Sequence, residues 1–224
     1  MTGATIVARP LLYSVDPVPP MFDQMILGVG DLDRGIAYME ERTNVRAVFG
    51  GVHPGRGTRN ALLTLGGQRY LEIIAPDPEQ HVQSWFRELP KIREPRLLGW
   101  AVHTDDIVAL AKKVRDAGFA IQGPADGSRA RPDGKMLRWK SFRLEDDRGG
   151  LLPLFIEWSP DSVHPSADSP AGCLLEHLFP VSPRQANLGA AYGRLGVVVG
   201  VGRGEKEQLR AQIAGAKGEV ELSS

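Results

Sequence analysis

Two carboxylates stand out because each is isolated in an otherwise apolar, strand-like run: Glu72 in Tyr70–Ala75 and Glu157 in Leu151–Trp158. A lone carboxylate removed from water is costly unless it is paired or coordinates a cation, so both are candidates for moving a proton or holding a metal. Strand alternation puts Glu72 on the face of Tyr70 and Ile74. Gln24 shares a face with Phe22, Ile26 and Gly28, while Met25, Leu27 and Val29 take the other. His103 shares its face with Gly99 and Ala101, whose small side chains leave room for a ligand or water beside the imidazole. A neutral imidazole there has the chemistry of a base or ligand near neutral pH, and the plainer reading is a satisfied, partly buried histidine.

Two loops add donors. His53-Pro54-Gly55-Arg56-Gly57-Thr58-Arg59-Asn60 gathers an imidazole, two guanidiniums and an amide on a glycine-rich loop whose backbone can approach a ligand closely. His53, Arg59 and Asn60 are therefore expected to bind substrate. Arg138 is expected to do the same, since an arginine fork suits carboxylate or phosphate. Arg129 and Arg131, beside the turn Arg131–Gly134, are read as exposed arginines on a solvated hairpin, and His81, His164 and His177 receive no role.

These residues are placed by a repeated unit of strand, helix and three strands. In the first copy Phe22–Val29 is followed by Asp31, which can cap a helix bearing Leu32, Ile36 and Met39, and then by Val45–Phe49, Asn60–Leu65 and Tyr70–Ala75. The second copy runs from Leu98–Thr104 through a helix with Ile107, Leu110, Ala111 and Val114 on one face. It continues into Phe119–Ile121, Leu137–Leu144 and Leu151–Trp158. Gly66-Gly67 and Asp146–Gly150 supply turns. A third, shorter copy begins at Leu174, with a helix carrying Leu188, Ala191, Tyr192 and Leu195 and with Val197–Val201, Leu209–Ile213 and Glu219–Leu222 as its strands. Glu205–Gln212 also tolerates a helix. The organisation read from this is a leader over residues 1–20, modules at 21–76 and 98–160 joined by a linker at 77–97, and a partial module at 161–224.

The stretches FDQMILGVGDLDRGIAYMEERTNVR, HPGRGTRNALLTLG, RYLEIIAPDP, LLGWAVHTDDI, GSRARPDGKMLRWKSF and LLPLFIEWSPDSVHP carry a resemblance over nearly the whole chain, from Phe22 to Leu222. Together they resemble the glyoxalase-like branch of the vicinal oxygen chelate superfamily. The resemblance implies an α+β fold of paired βαβββ modules, with a third partial module here, whose sheets curve around one cleft where relatives commonly hold a divalent metal. It also implies ligands from the first and last strands of each module, the first lying seven residues before the aspartate that starts the helix. Gln24 stands seven before Asp31, and Glu72 and Glu157 match the closing strands; the fourth position falls on Gly99, seven before Asp106. The implied metal set is thus Gln24, Glu72 and Glu157, with Glu72, Glu157 and His103 as catalytic groups. Three oxygen donors suit Mg²⁺ or Mn²⁺ better than Zn²⁺ or Ni²⁺. For Gln24 and Glu72 both coordination and simple hydrogen bonding across the cleft stay open.

Composition narrows the partners. Lys+Arg 27 against Asp+Glu 27 leaves no net charge, which argues against nucleic acid, and no apolar run approaches a membrane span. A single cysteine and no secretory pattern make the cytoplasm the default compartment. The function implied is a metal-assisted lyase, isomerase or related enzyme acting on a small oxygen-rich molecule, with a homodimer as the candidate assembly. The alternative is a non-catalytic binding protein of the resistance type that uses the same cleft.

Overall fold

Strand β1 (Phe22–Gly28) is buried at all seven positions because it lies in the middle of a sheet with a strand on each side. The computed structural model describes residues 18–81 and 86–224. Most of the expected leader, up to residue 17, and residues 82–85 of the expected linker lie outside the described residues.

After β1 come helix α1 (Leu32–Thr43) and strands β2 (Val48–His53), β3 (Thr58–Thr64) and β4 (Tyr70–Pro76). The second module repeats the order with β5 (Arg96–His103), α2 (Ile107–Asp116), β6 (Ile121–Ala130), β7 (Met136–Leu144) and β8 (Leu154–Trp158). Asp31 and Asp106 start the two helices by accepting the backbone N–H of Arg34 and Ala109. The eight strands form one mixed sheet in the order β2-β3-β4-β1-β5-β8-β7-β6, antiparallel where the modules meet at β1 and β5. The sheet curls until its edges β2 and β6 meet, and the Arg129 guanidinium of β6 donates to the Gly50 carbonyl of β2.

A third unit holds β9 (Leu174–Ser182), α3 (Gln185–Leu195), β10 (Gly202–Arg203), β11 (Gln208–Gly215) and β12 (Gly218–Ser223), with sheet order β10-β9-β11-β12. It covers α1 and the outer side of β5, so one apolar core runs through all three units. Trp100 lies at its centre, stacked on Phe22 and donating its indole N–H to the Leu151 carbonyl, which also accepts from the Tyr192 hydroxyl.

Some sequence expectations give way here. Val197–Val201 is not a strand, and the short β10 follows it. The stretch that tolerated a helix enters β11, because Leu209, Ala211 and Ile213 alternate into the core with period two. Phe22 does not share Gln24's face: a bulge between them turns Phe22 onto Trp100.

Candidate functional site

The concave side of the curled sheet encloses a cavity of about 630 Å³. Its walls follow from alternation: Gln24 and Ile26 from β1, Glu72 and Ile74 from β4, and Leu154, Ile156 and Trp158 from β8 all point inward. One end is polar, formed by Gln24, His53, Asn60, Tyr70, Glu72 and Arg129.

The hydrogen bonds at this end fix each group's role. Gln24 Nε2 donates to Glu72 Oε2 at 2.9 Å, and Asn60 Nδ2 donates to Glu72 Oε1 at 2.7 Å. The Tyr70 hydroxyl donates to Gln24 Oε1. Because the phenol takes the Gln24 carbonyl, the NH₂ end of that amide must face Glu72. His53 Nε2 lies 3.5 Å from Glu72 Oε1, and His53 Nδ1 lies 2.9 Å from Thr58 Oγ1. Glu72 is 7% exposed and shares this end of the cavity with the buried Arg129 guanidinium, so little but fixed dipoles and that cation surrounds the carboxyl group.

Burial tunes the neighbours. Desolvation lowers the His53 pKa from 6.5 to about 4, outweighing the upward pull of Glu72, with Arg129 and Arg56 lowering it further. Tyr70 is pushed well above its ordinary value by burial, with the Asp23 and Glu72 carboxylates adding to the effect, so it stays a phenol donor. Burial likewise lowers Arg129. The His53 shift predicts a pH dependence. Between pH 4 and 6.5 the unfolded histidine binds a proton that the folded one does not, so its contribution to stability is complete above pH 6.5 and is lost as pH falls toward 4. Wild type should therefore lose about 3 kcal/mol more than His53→Gln between pH 7 and 4, as read by denaturant unfolding. Parallel stability–pH curves for the two proteins would refute the burial of a neutral imidazole.

The structure brings together Gln24, Glu72, His53 and Asn60, and leaves the other expected residues elsewhere. Glu157 faces away from the cavity, opposite to Ile156 and Trp158, and its Oε2 accepts the Ile107 N–H at 2.6 Å, satisfying a first-turn donor of α2. Arg59 does not line the cavity, because on β3 it alternates with the inward Asn60; its Nε is buried without a partner. Arg138 is exposed and pairs with Asp161 at 3.2 Å, and His103 ends β5 half-buried outside the cavity lining. Arg129 is the reverse case: read as a solvated arginine, it is 3% exposed and lines the site. Arg131 pairs with Asp168 and Asp133. His164, given no role, supports the site from behind: its Nε2 and the Trp158 indole N–H contact Asp23 Oδ2 at 3.2 and 3.0 Å.

Strand register identifies the second module's counterpart of the Gln24–Glu72 pair. Two residues after Gln24, Ile26 pairs with Glu72; two residues after Gly99, Ala101 pairs with Leu154. The counterparts are therefore Gly99 and Leu154, and a side chain at Gly99 would meet the backbone of Gly150 at 3.6 Å. Among the described residues no three His, Cys, Asp or Glu side chains converge as a metal site.

A family model described as a glyoxalase-like domain matches residues 22–196, more than three quarters of the chain. The chain belongs to this glyoxalase-like family, within the vicinal oxygen chelate superfamily. Among solved structures, a hypothetical protein from Staphylococcus aureus superposes with TM-score 0.66 at 16% identity, covering 83% of this chain and 87% of that one. Methylmalonyl-CoA epimerase from Mycobacterium tuberculosis gives a TM-score of 0.46 at 19% identity, covering 67% and 93%. A hypothetical protein from Bacillus halodurans gives 0.46 at 14%, covering 63% and 95%. At these identities the likeness is one of fold. Comparison with curated proteins finds no match. Among the described residues, no helix of this glyoxalase-like chain is long and apolar enough to cross a membrane.

Proposed function

We propose that this glyoxalase-like protein is a cytoplasmic enzyme that moves a proton on a small carbonyl compound, with Glu72 as the base. The observation that carries the reading is a buried carboxylate on a cavity wall whose two oxygens each accept one amide N–H and so keep lone pairs for a substrate C–H. Glu72 would take the proton from the carbon beside a carbonyl, the C–H pair passing onto the carbonyl oxygen as an enediolate-type anion. Arg129, the buried cation at the same end of the cavity, would offset that charge in a site of low dielectric. Return of the proton from Glu72 to the neighbouring carbon, with that carbon's hydroxyl proton passing to the first oxygen, completes an isomerisation, and expulsion of a neighbouring leaving group with its bonding pair completes a lyase step.

A divalent metal fits these residues poorly. The Gln24 carbonyl oxygen, the atom that would coordinate, accepts from Tyr70, and its NH₂ faces Glu72. The two remaining corners are a glycine and a leucine, and a hard cation wants several converging oxygens. No step is routed through a metal.

The test is loss of the α-proton signal by NMR in D₂O containing EDTA, for a panel of 2-oxo acids, 2-hydroxy aldehydes and acyl thioesters. Exchange with at least one compound is expected. Saturable binding without exchange would overturn the enzyme reading in favour of sequestration.

A further inference from the structure

Beside its polar end the cavity has an aromatic wall. Trp139 and Trp158 are cross-strand partners on β7 and β8, both lining the cavity, with ring centroids 5.7 Å apart and planes at 57°. Both are held in place. The Trp158 indole N–H donates to Asp23, a carboxylate only 1% exposed that also contacts His164, and His164 packs edge-on against both Trp158 and Tyr70. Trp139 lies over Gly127 of β6, where any added Cβ would come within 2.4 Å of the indole. Along the same wall Gly123, Ala125 and Ser141 keep the space open, and Ile26, Ile74, Leu98 and Leu154 face it with aliphatic surface. At about 630 Å³ the cavity lies within the range that takes up a drug-sized ligand.

Resting on the proton-transfer reading of Glu72, we propose that the substrate is an aryl-bearing carbonyl compound: its acidic carbon sits at Glu72, and a flat aromatic ring system lies on the Trp139–Trp158 wall. Two fixed indoles cost little side-chain entropy when a ring packs on them, and their quadrupoles favour an aromatic partner over an equally apolar saturated one. The wall thus selects for aromaticity, which size alone does not.

The probes are 2-naphthylacetate and its fully saturated decalin counterpart, titrated against the whole chain by indole fluorescence and calorimetry. The naphthyl acid should bind about tenfold more tightly than the saturated one. Trp139→Leu should cut that preference to less than about threefold, weakening the naphthyl acid more than the saturated one, and Trp139→Phe should restore part of it. Gly127→Ala, which pushes the Trp139 indole aside, should act in the same direction, and thermal melting of each variant confirms that it is folded. Equal affinity for the two acids, failure of both to bind, or a preference that survives Trp139→Leu would overturn the proposal. If acyclic carbonyl acids still exchange their α-proton under any of those results, the aromatic wall fails while the function of Glu72 stands.

Discussion

Gly150→Ala is expected to destabilise the fold by about 3–5 kcal/mol, a large share of the roughly 5–15 kcal/mol that holds a domain together. Gly150 has φ +86, and a Cβ there would stand 2.0 Å from the Leu98 carbonyl oxygen. The clash is with backbone, so no side-chain rotation relieves it, and the left-handed conformation adds strain of about 1–3 kcal/mol for a residue with a Cβ. Gly149→Ala is the matched control. Its φ is +66 and nothing lies within 4 Å of its added Cβ, so it should cost only about 1–2 kcal/mol. Urea unfolding of the two variants reads the difference directly. Equal losses would mean that the 146–150 turn is not seated against β5, and would reopen the corner above Gly99 that the turn now covers.

The elements were legible where periodicity is strong and each unit repeats. The βαβββ order, the capping aspartates Asp31 and Asp106, and the inward placement of Gln24 and Glu72 all follow from alternation and helical spacing. What alternation cannot supply is the phase after an irregularity. A bulge beside Gln24 turned Phe22 into the core. For Glu157 plain alternation with the inward Ile156 and Trp158 already points it away from the cavity, and the resemblance to closing-strand ligands had overridden it. The cross-strand register, which a single sequence does not contain, is what makes Leu154 the counterpart of Glu72. Arg129 was read as solvated because a hairpin with three arginines looks like surface. Only closure of the sheet edge, β6 against β2, buries it, and closure is a tertiary property. Trp139, Trp158 and the Asp23–His164 pair were given no role from the sequence; they gain meaning from being brought to one wall. Gly99 was a legible warning, since a glycine offers no donor at the position where the resemblance implied a ligand.

The measurement that bears most directly on the account is the rate of α-proton exchange catalysed by Glu72→Gln. The substitution keeps the side chain's size and leaves Gln24, Asn60 and Tyr70 in place, but it removes the proton acceptor. One of the two amide donors that now meet carboxylate oxygens would face an NH₂ group, so stability should fall by about 1–3 kcal/mol and the folded fraction must be checked at the assay temperature. A positioned general base contributes about 10²–10⁴-fold. The rate per folded molecule, measured in D₂O with EDTA on a compound that wild type exchanges, should therefore fall by that factor while binding of the same compound changes little. A rate within about tenfold of wild type, or a loss confined to binding, would show that the proton is moved by another group and would contradict the assignment of Glu72 as the base.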